Sequence, residues 1–438
     1  MSTKITLIGA GSASFGLNTI SDIARSQELH GSAVALTDVS GERLTLMEKV
    51  ANRLNEHYNA RLRIETSTKA DDVLDGSEFV MIAADIEMMK RWKMNFQIPF
   101  KHGIKQIIGS CGGPGGLGHT LIVIPLMLKI CRDIEDYCKD ALVLDLTNPE
   151  ARVINAISKY TKIKAYGLCP GIYDRLESFS ELFAQPVENF EPFAAGLNHF
   201  TWLLDIRFKD GSNVYPALDE KLKQQPDFEP VCRELYNIFH YYPSPGDALA
   251  GEYVPFAWDK AHDSTRGMNH IKKIEDRGTK VSNDALAIAR GELSPELLQQ
   301  RQWIQTKSPV LNRSVGAGVR IIKAIVGNMR RYEYSVNLPN AGYVSNLSDD
   351  IVVEVPASVD RSGIHGVGVG SLPKGIGALC STQGTIQNLA VEAAVEGSYD
   401  KALQALLIDP VVPNPDTARV VLNDLLEAHA ELLPQFKA

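Results

Sequence analysis

"ITLIGAGSASFG", residues 5–16, decides the fold. An apolar run rises to Gly9, Gly11 follows one residue later, and a helix pattern begins at about Ser14. Glycines at these positions let a backbone turn tightly and approach a pyrophosphate, whose charge then sits at the helix N-terminus. A dinucleotide fingerprint wants a third glycine at position 14; Ser14 stands there and Gly16 comes two residues later. The spacing alone therefore also suits a plain glycine turn that holds no nucleotide. Asp38, ending the second strand-like run "AVALTD" (33–38), adds weight. A carboxylate there can bind a ribose 2′-hydroxyl and would repel a 2′-phosphate, which points to NAD rather than NADP. The expected cofactor contacts are Gly9, Gly11, Ser12, Ser14 and Asp38.

Outward from this loop, strand and helix patterns alternate over the first 170 residues or so. "KITLIG" (4–9), "FVMIAA" (79–84), "ALVLDL" (141–146) and "IKAYGL" (163–168) are short apolar runs bounded by turn residues. Helix patterns cover 14–25, 41–57, 117–138 and 150–160. This alternation predicts a doubly wound parallel sheet with right-handed crossovers. Beyond about residue 175 the rhythm changes. "LDIRFKDGSNVYPAL" (204–218) reads as a hairpin turning at Asp-Gly. A helix-rich middle (216–335), strands within 337–359 and closing helices at 382–406 and 415–432 follow. The fold class is α/β: a Rossmann-like domain over 1–175 fused to a larger α+β substrate-binding and oligomerisation domain over 176–438.

The chain has 438 residues, 44% hydrophobic and 22% charged, with a net charge of −8. It carries no Lys/Arg block, so nucleic acid is not an expected partner. No run of eighteen apolar residues is present, so no membrane span is expected. "MSTKITLIGAG" enters a strand at once, without a signal peptide, and six scattered cysteines read as free thiols; a cytoplasmic setting is expected.

Four further segments can carry chemistry. In "AYGLCPGIYD" (165–174), Cys169 stands where a strand meets a loop, as a ligand, a nucleophile or a small buried hydrophobe. In "GLNHFTW" (196–202), Asn198 and His199 either line a site or sit hydrogen-bonded in a core. Asn148 of "LTNPEARV" (146–153) lies at a strand's carboxyl end, where open α/β sheets bind ligands, and can also serve a helix cap. "GSCGGPGGLGHT" (109–120) is either a lid-like loop or a wall near the cofactor.

The Rossmann start, the strand-ending "TNP", "GLC", "GLNHF", "EYVP", "NLPNAGYVSNL", "VVEVPA" and "LPKGIGAL" stand in order along the chain. Together they resemble glycoside hydrolase family 4, the NAD-dependent glycosidases, which are similar in fold to lactate and malate dehydrogenases. The resemblance implies transient oxidation of the sugar at C3, removal of the C2 proton, elimination of the aglycone, water addition and re-reduction. It implies a divalent metal, usually manganese, on Cys169 and His199. Asn148, Asn198, His199 and His119 are the expected substrate contacts; the general acid is left open among His119, Asp174 and a water. The base the resemblance implies is Asp247, or Tyr241 or Tyr242 just upstream. A homo-oligomer, dimer or tetramer, acting on a small-molecule glycoside is expected.

Three positions depart from the family pattern: Pro170 after the cysteine, Ser110 in place of an aspartate, and Leu249 in place of a histidine. Such departures suit a sister group, the NAD-dependent sulfoquinovosidases. The expected substrate is accordingly an α-glycoside with an anionic C6 group, sulfoquinovoside first, with Arg91, Lys93, Arg313 and Arg331 as candidate cations. An α-glucosidase, α-galacturonidase or 6-phospho-glucosidase of family 4 is the alternative. A 2-hydroxy-acid dehydrogenase or an NAD-binding sensor is more remote.

Overall fold

The computed structural model describes residues 3–295 and 314–436. Its strands are β1 (Lys4–Ile8), β2 (Ala33–Thr37), β3 (Arg63–Ser67), β4 (Phe79–Ile82), β5 (Leu142–Asp145), β6 (Ala165–Gly167), β7 (Phe190–Leu197), β8 (Phe200–Phe208), β9 (Tyr242–Ser244), β10 (Arg331–Pro339), β11 (Val352–Asp360) and β12 (Gly363–Gly366). The first six are parallel, in the order β3-β2-β1-β4-β5-β6. This is the order of dinucleotide-binding sheets. Central strands β1, β2 and β4 are buried almost throughout, as runs such as "AVAL" require when helices cover both faces.

The sheet does not stop at the end of the Rossmann half. β10 pairs antiparallel with β6 at Asn337 and Gly167, and the order continues β10-β11-β7-β8-β9, with β12 on β11. The segments anticipated as two domains thus share one sheet.

Two expectations are corrected here. The hairpin anticipated over 204–218 is β8 followed by a turn and a single bridge, Arg207 to Asn213, before the helix Tyr215–Gln224 begins. The true hairpin is β7–β8, closed by Asn198 and His199 between the paired Leu197 and Phe200. The glycine-rich segment is not a lid. From Gly113 it forms the first turns of the helix Gly113–Cys138 and is buried there. A Cβ on Gly115 would lie 2.6 Å from the Gly109 carbonyl oxygen, and one on Gly116 2.4 Å from that of Cys111. Side chains would push this helix off the loop that precedes it.

The same helix is, among the described residues, the one element long and apolar enough to cross a membrane, yet 83% of its apolar window is buried inside the protein. Leu121, Ile124, Met127 and Leu128 belong to a core that also contains Val153 and Ile157 of the helix Glu150–Tyr160 and Ala390 and Val391 of the helix Lys374–Glu396. All six cysteines are buried and unpaired.

Candidate active site

The cofactor loop follows from backbone sterics. Gly9 has φ +84°, and a Cβ there would lie 2.1 Å from the Ala83 carbonyl oxygen. The Gly9 and Ala10 amides both donate to the Thr37 carbonyl, at 3.0 and 3.1 Å, tying the loop to the end of β2. Gly11 donates its amide to Asp38 Oδ2 at 2.9 Å, and Oδ1 accepts from the Ser40 amide at 2.9 Å. Asp38 therefore faces the loop as a nucleotide-binding carboxylate must. Ser12 caps the helix Ala13–Arg25, accepting from the Phe15 amide, while Ser14 is exposed. Gly16 does the work of the missing third glycine: its Cβ would lie 2.1 Å from the Ala10 carbonyl oxygen, so helix and strand pack this closely only without one. The loop fits a dinucleotide.

A second group of side chains gathers around the β7–β8 turn. Hairpin tips usually face solvent, but Asn198 and His199 are 2% and 5% exposed. His199 adopts φ +61°, a left-handed conformation that costs a non-glycine residue energy and is found at functional turns. Its Nδ1 is buried with no hydrogen-bond partner. Burial lowers its pKa to about 4, so the ring is neutral at physiological pH.

Donor atoms of His199, Cys111 and Glu252 all lie within 4.8 Å of one another. Glu252 accepts from the amides of Ser110 and Cys111, and burial pushes its pKa up to about 7. Burial and the Glu252 charge together push the Cys111 thiol far up. Tyr253 donates to the Asn198 carbonyl at 3.3 Å.

Cys169 lies beside Asn198. It is buried, and burial together with Glu354 and Glu150 raises its pKa. Those two carboxyl groups are bridged by amides: Asn337 Nδ2 lies 2.6 Å from Glu150 Oε1 and 3.1 Å from Glu354 Oε2, and Asn198 Nδ2 lies 3.1 Å from the latter atom. Burial raises both carboxyl pKa values, and in Glu150 the neighbouring Glu354 adds to it. Asn198 is thus an anchor within the core. Both Cys169 and Cys111 act electrostatically on Tyr253, so the two thiols border one region.

His119 pairs with Asp85, a residue the sequence reading did not single out. Burial works against the charged ring, but the Asp85 carboxylate and the Ser110 carbonyl outweigh it and raise the pKa. Asn148 is exposed beside a cis peptide bond to Pro149. Asp174 is exposed on the helix Gly171–Phe183.

Asp247 lies in a separate cluster. Its Oδ1 accepts from the Val231 and Cys232 amides at 3.1 and 2.9 Å, capping the helix Pro230–Phe239, while Oδ2 is buried without a partner. Burial raises its pKa. Arg175, fully buried, bonds Glu229 at 2.6 Å and the Pro245 carbonyl at 2.7 Å in the same cluster. Tyr242 is fully buried under Arg175, with its hydroxyl 3.3 Å from Glu229, whereas Tyr241 is half-buried. The two clusters meet back to back: a Cβ on Gly171 would lie 3.4 Å from the Pro245 ring and 3.5 Å from Cys169 Sγ.

Sequence reasoning had paired His199 with Cys169 and did not single out Cys111 and Glu252, whose donor atoms lie within 4.8 Å of that of His199. The signal was present: Cys111 sits inside the glycine-rich segment, and Glu252 inside "EYVP".

Fold and site together define an α/β enzyme with a dinucleotide loop on its parallel sheet and a buried imidazole–thiol–carboxylate group. The family 4 glycosyl hydrolase profile matches residues 4–182, and that of the family 4 glycosyl hydrolase C-terminal domain matches 194–412. The chain belongs to family 4 of the glycosyl hydrolases. An α-glucosidase of Erwinia rhapontici is 33% identical over 435 residues, covering 94% of each chain. An α-galactosidase of Bacillus subtilis strain 168 is 29% identical, covering 99% of this chain and all of the other. The structure of a 6-phospho-α-glucosidase from gut microorganisms, in complex with NAD and Mn2+, superposes with a TM-score of 0.84 at 20% identity, covering 99% of this chain and 100% of that one.

Proposed function

We propose that this protein is an NAD-dependent α-glycosidase acting on a neutral hexoside of the glucose or galactose type. The observation that carries it is the Gly11 amide on the Asp38 carboxylate, at 2.9 Å. A dinucleotide loop has no use in hydrolysis by paired carboxylates, and family 4 is the glycosidase family that departs from that scheme through NAD. NAD supplies a hydride acceptor that is restored within each turnover.

The protein's own groups do the rest. Asp247 removes the C2 proton: two amides hold its Oδ1, leaving Oδ2 unpartnered, and burial moves its pKa towards the working range. Tyr241 is the alternative base; the Tyr242 hydroxyl is engaged with Glu229. Neutral His199 would offer a lone pair to a divalent metal, which would supply positive charge. Asn148, exposed at the end of β5, is a substrate contact. His119, whose pKa the Asp85 carboxylate raises, is the acid.

Two of the cations expected to read an anionic C6 group are paired elsewhere. Arg91 bonds Glu87 and Glu431, and Lys93 bonds Glu275 at 2.7 Å. Arg313 lies outside the described residues, and Arg331 is half-buried on β10. The α-glucosidase and α-galactosidase relatives favour a neutral sugar, although α-galacturonidases and a probable 6-phospho-β-glucosidase are relatives too, at 23–28% identity. The test is a panel of matched aryl α-glycosides bearing hydroxyl, carboxylate, phosphate or sulfonate at C6, assayed with NAD. Neutral α-glucoside or α-galactoside is expected to be cleaved best, with no net NADH. A higher kcat/KM for the sulfonate would restore the sulfoquinovoside reading, and NADH rising in step with product would make the protein a dehydrogenase.

A further inference from the structure

We infer that Arg175 is a positioning residue for the Asp247 carboxylate, holding together with Glu229 the two chain segments between which that carboxylate is fixed. The assignment rests on Asp247 as the base of the proposed function and names the groups that aim it.

Asp247 is held from two sides. Its backbone follows β9 through Pro245 and Gly246, and its Oδ1 is fixed by two amides of the helix Pro230–Phe239. A carboxylate held in this way keeps its aim only while strand and helix keep their spacing. Arg175 sets that spacing. Its Nη2 donates to the Pro245 carbonyl at 2.7 Å, just before Asp247, and its Nη1 donates at 2.6 Å to Glu229, the residue immediately before the helix. One planar guanidinium thus spans both segments, a task suited to a rigid fork of donors and not to the single ammonium of lysine. Ser244 Oγ adds a third tie, donating at 2.8 Å to the Gly171 carbonyl at the start of the helix that carries Arg175.

The pair is itself locked. Arg175 is 0% exposed, and its guanidinium lies 4.7 Å from the Tyr242 ring centroid and 5.4 Å from that of Phe179. Glu229 adopts φ +41°, a left-handed conformation that a non-glycine residue takes only when its surroundings impose it. Ser178 and Tyr242 donate to its carboxylate at 3.0 and 3.3 Å. A second buried cluster has the same composition: Arg320 donates to both oxygens of Glu333, at 3.2 and 2.8 Å, and lies 4.8 Å from the Tyr173 ring. That cluster leaves no carboxylate oxygen open. In the first, Asp247 Oδ2 is buried without a hydrogen-bond partner, an arrangement that a reacting proton explains and a stabilising network does not.

Four ionisable side chains share the cluster with Asp247: Arg175 from the helix Gly171–Phe183, Glu229 and Cys232 from the start of the helix Pro230–Phe239, and Tyr242 from β9. Burial raises the pKa of the Cys232 thiol and the Tyr242 hydroxyl, so both stay protonated and Arg175 and Glu229 carry the charge. Burial also raises the Asp247 pKa, and the Glu229 charge adds to it against the two amides. Removing that charge must lower it.

The test compares Arg175→Lys, Glu229→Gln and Glu333→Gln in the full-length protein with NAD and an aryl α-glucoside. Arg175→Lys should lower kcat about 10²-fold with KM little changed, because the base is misaimed and the sugar is still bound. Glu229→Gln should move the acidic limb of the kcat/KM profile to lower pH. Glu333→Gln should lower the melting temperature and leave kcat and the pH profile as in the wild type. An Arg175→Lys kcat within about threefold of wild type, or a loss confined to KM, overturns the assignment. Should Arg175→Lys fail to fold, an NMR titration of labelled aspartate carboxyl carbons, with the Asp247 signal identified by its loss in Asp247→Asn, reads the same coupling. A lower Asp247 pKa in Glu229→Gln supports it, and an unchanged one overturns it. That readout needs no turnover. An Asp247→Asn protein that still exchanges deuterium at C2 would fail the proposed base, while the titration would still show whether Arg175 and Glu229 hold this carboxylate.

Discussion

His119 Nε2 lies 3.0 Å from Asp85 Oδ2, joining the buried helix Gly113–Cys138 to the loop that leaves β4. With its other ring nitrogen 3.2 Å from the Ser110 carbonyl, the imidazole has an acceptor on each side, which favours its charged form. Its pKa is raised in the folded protein, so its contribution to stability is full below the unfolded value of about 6.5 and is lost as pH rises through the folded value. Asp85→Asn should destabilise the protein by about 1.5–3 kcal/mol at pH 6 and by clearly less at pH 9. Denaturant melts at both pH values check this. An equal cost at the two would mean that the ring is neutral.

Gly9 and Gly31 separate conformational strain from collision. Both have positive φ, +84° and +80°, but a Cβ on Gly9 meets the Ala83 carbonyl at 2.1 Å whereas one on Gly31 meets nothing within 4 Å. Gly31→Ala should cost about 1–2 kcal/mol and leave NAD binding intact. Gly9→Ala should cost more and abolish NAD binding, because the end of β1 must move away from the loop after β4. Thermal melts with NAD titration by fluorescence quenching distinguish the two. Similar behaviour of both variants would remove the steric argument.

Asp38 both orders the loop and reads the ribose. Asp38→Ala removes the acceptor of the Gly11 and Ser40 amides, and NAD affinity should fall at least about tenfold through the lost charge-assisted hydrogen bonds. NADP should lose less, so the preference narrows. Calorimetric titration of both nucleotides checks it; an unchanged ratio would take Asp38 away from the 2′ position.

Asp247→Asn retains an acceptor at Oδ1 for the Val231 and Cys232 amides, so the fold should survive. Loss of the base should lower kcat by about 10²–10⁴-fold and abolish deuterium incorporation at C2 when turnover is run in deuterium oxide. Persisting exchange in this variant would move the role to Tyr241.

The Rossmann half was legible because its strands are buried runs and its cofactor loop is a local steric solution. β3 escaped notice because "RIETS" is a polar edge strand, half-exposed, with no apolar run to announce it. The β7–β8 hairpin was missed for a related reason. Its turn residues, Asn198 and His199, include no glycine, while the Lys-Asp-Gly stretch that follows β8 looked the better turn and leads only into a helix. The glycines of 113–118 looked flexible because sequence shows the absence of side chains but not the backbone packed into their place.

The sequence by itself determined the alternating fold, the dinucleotide loop with Asp38, and the family, since each is written in short-range patterns or in motifs whose order survives without coordinates. It singled out His199 and Cys169 but not Cys111 or Glu252. Only the tertiary structure decided that Cys111 and Glu252, 141 positions apart, meet through the amide–carboxylate bond that folds one loop over the other. It alone set Asp247 against Arg175 and Glu229, and matched Arg91 and Lys93 with acids from distant segments. Contacts of this kind arise when a shared sheet and core bring remote segments together, and neither periodicity nor spacing along the chain records which side chains will then face one another.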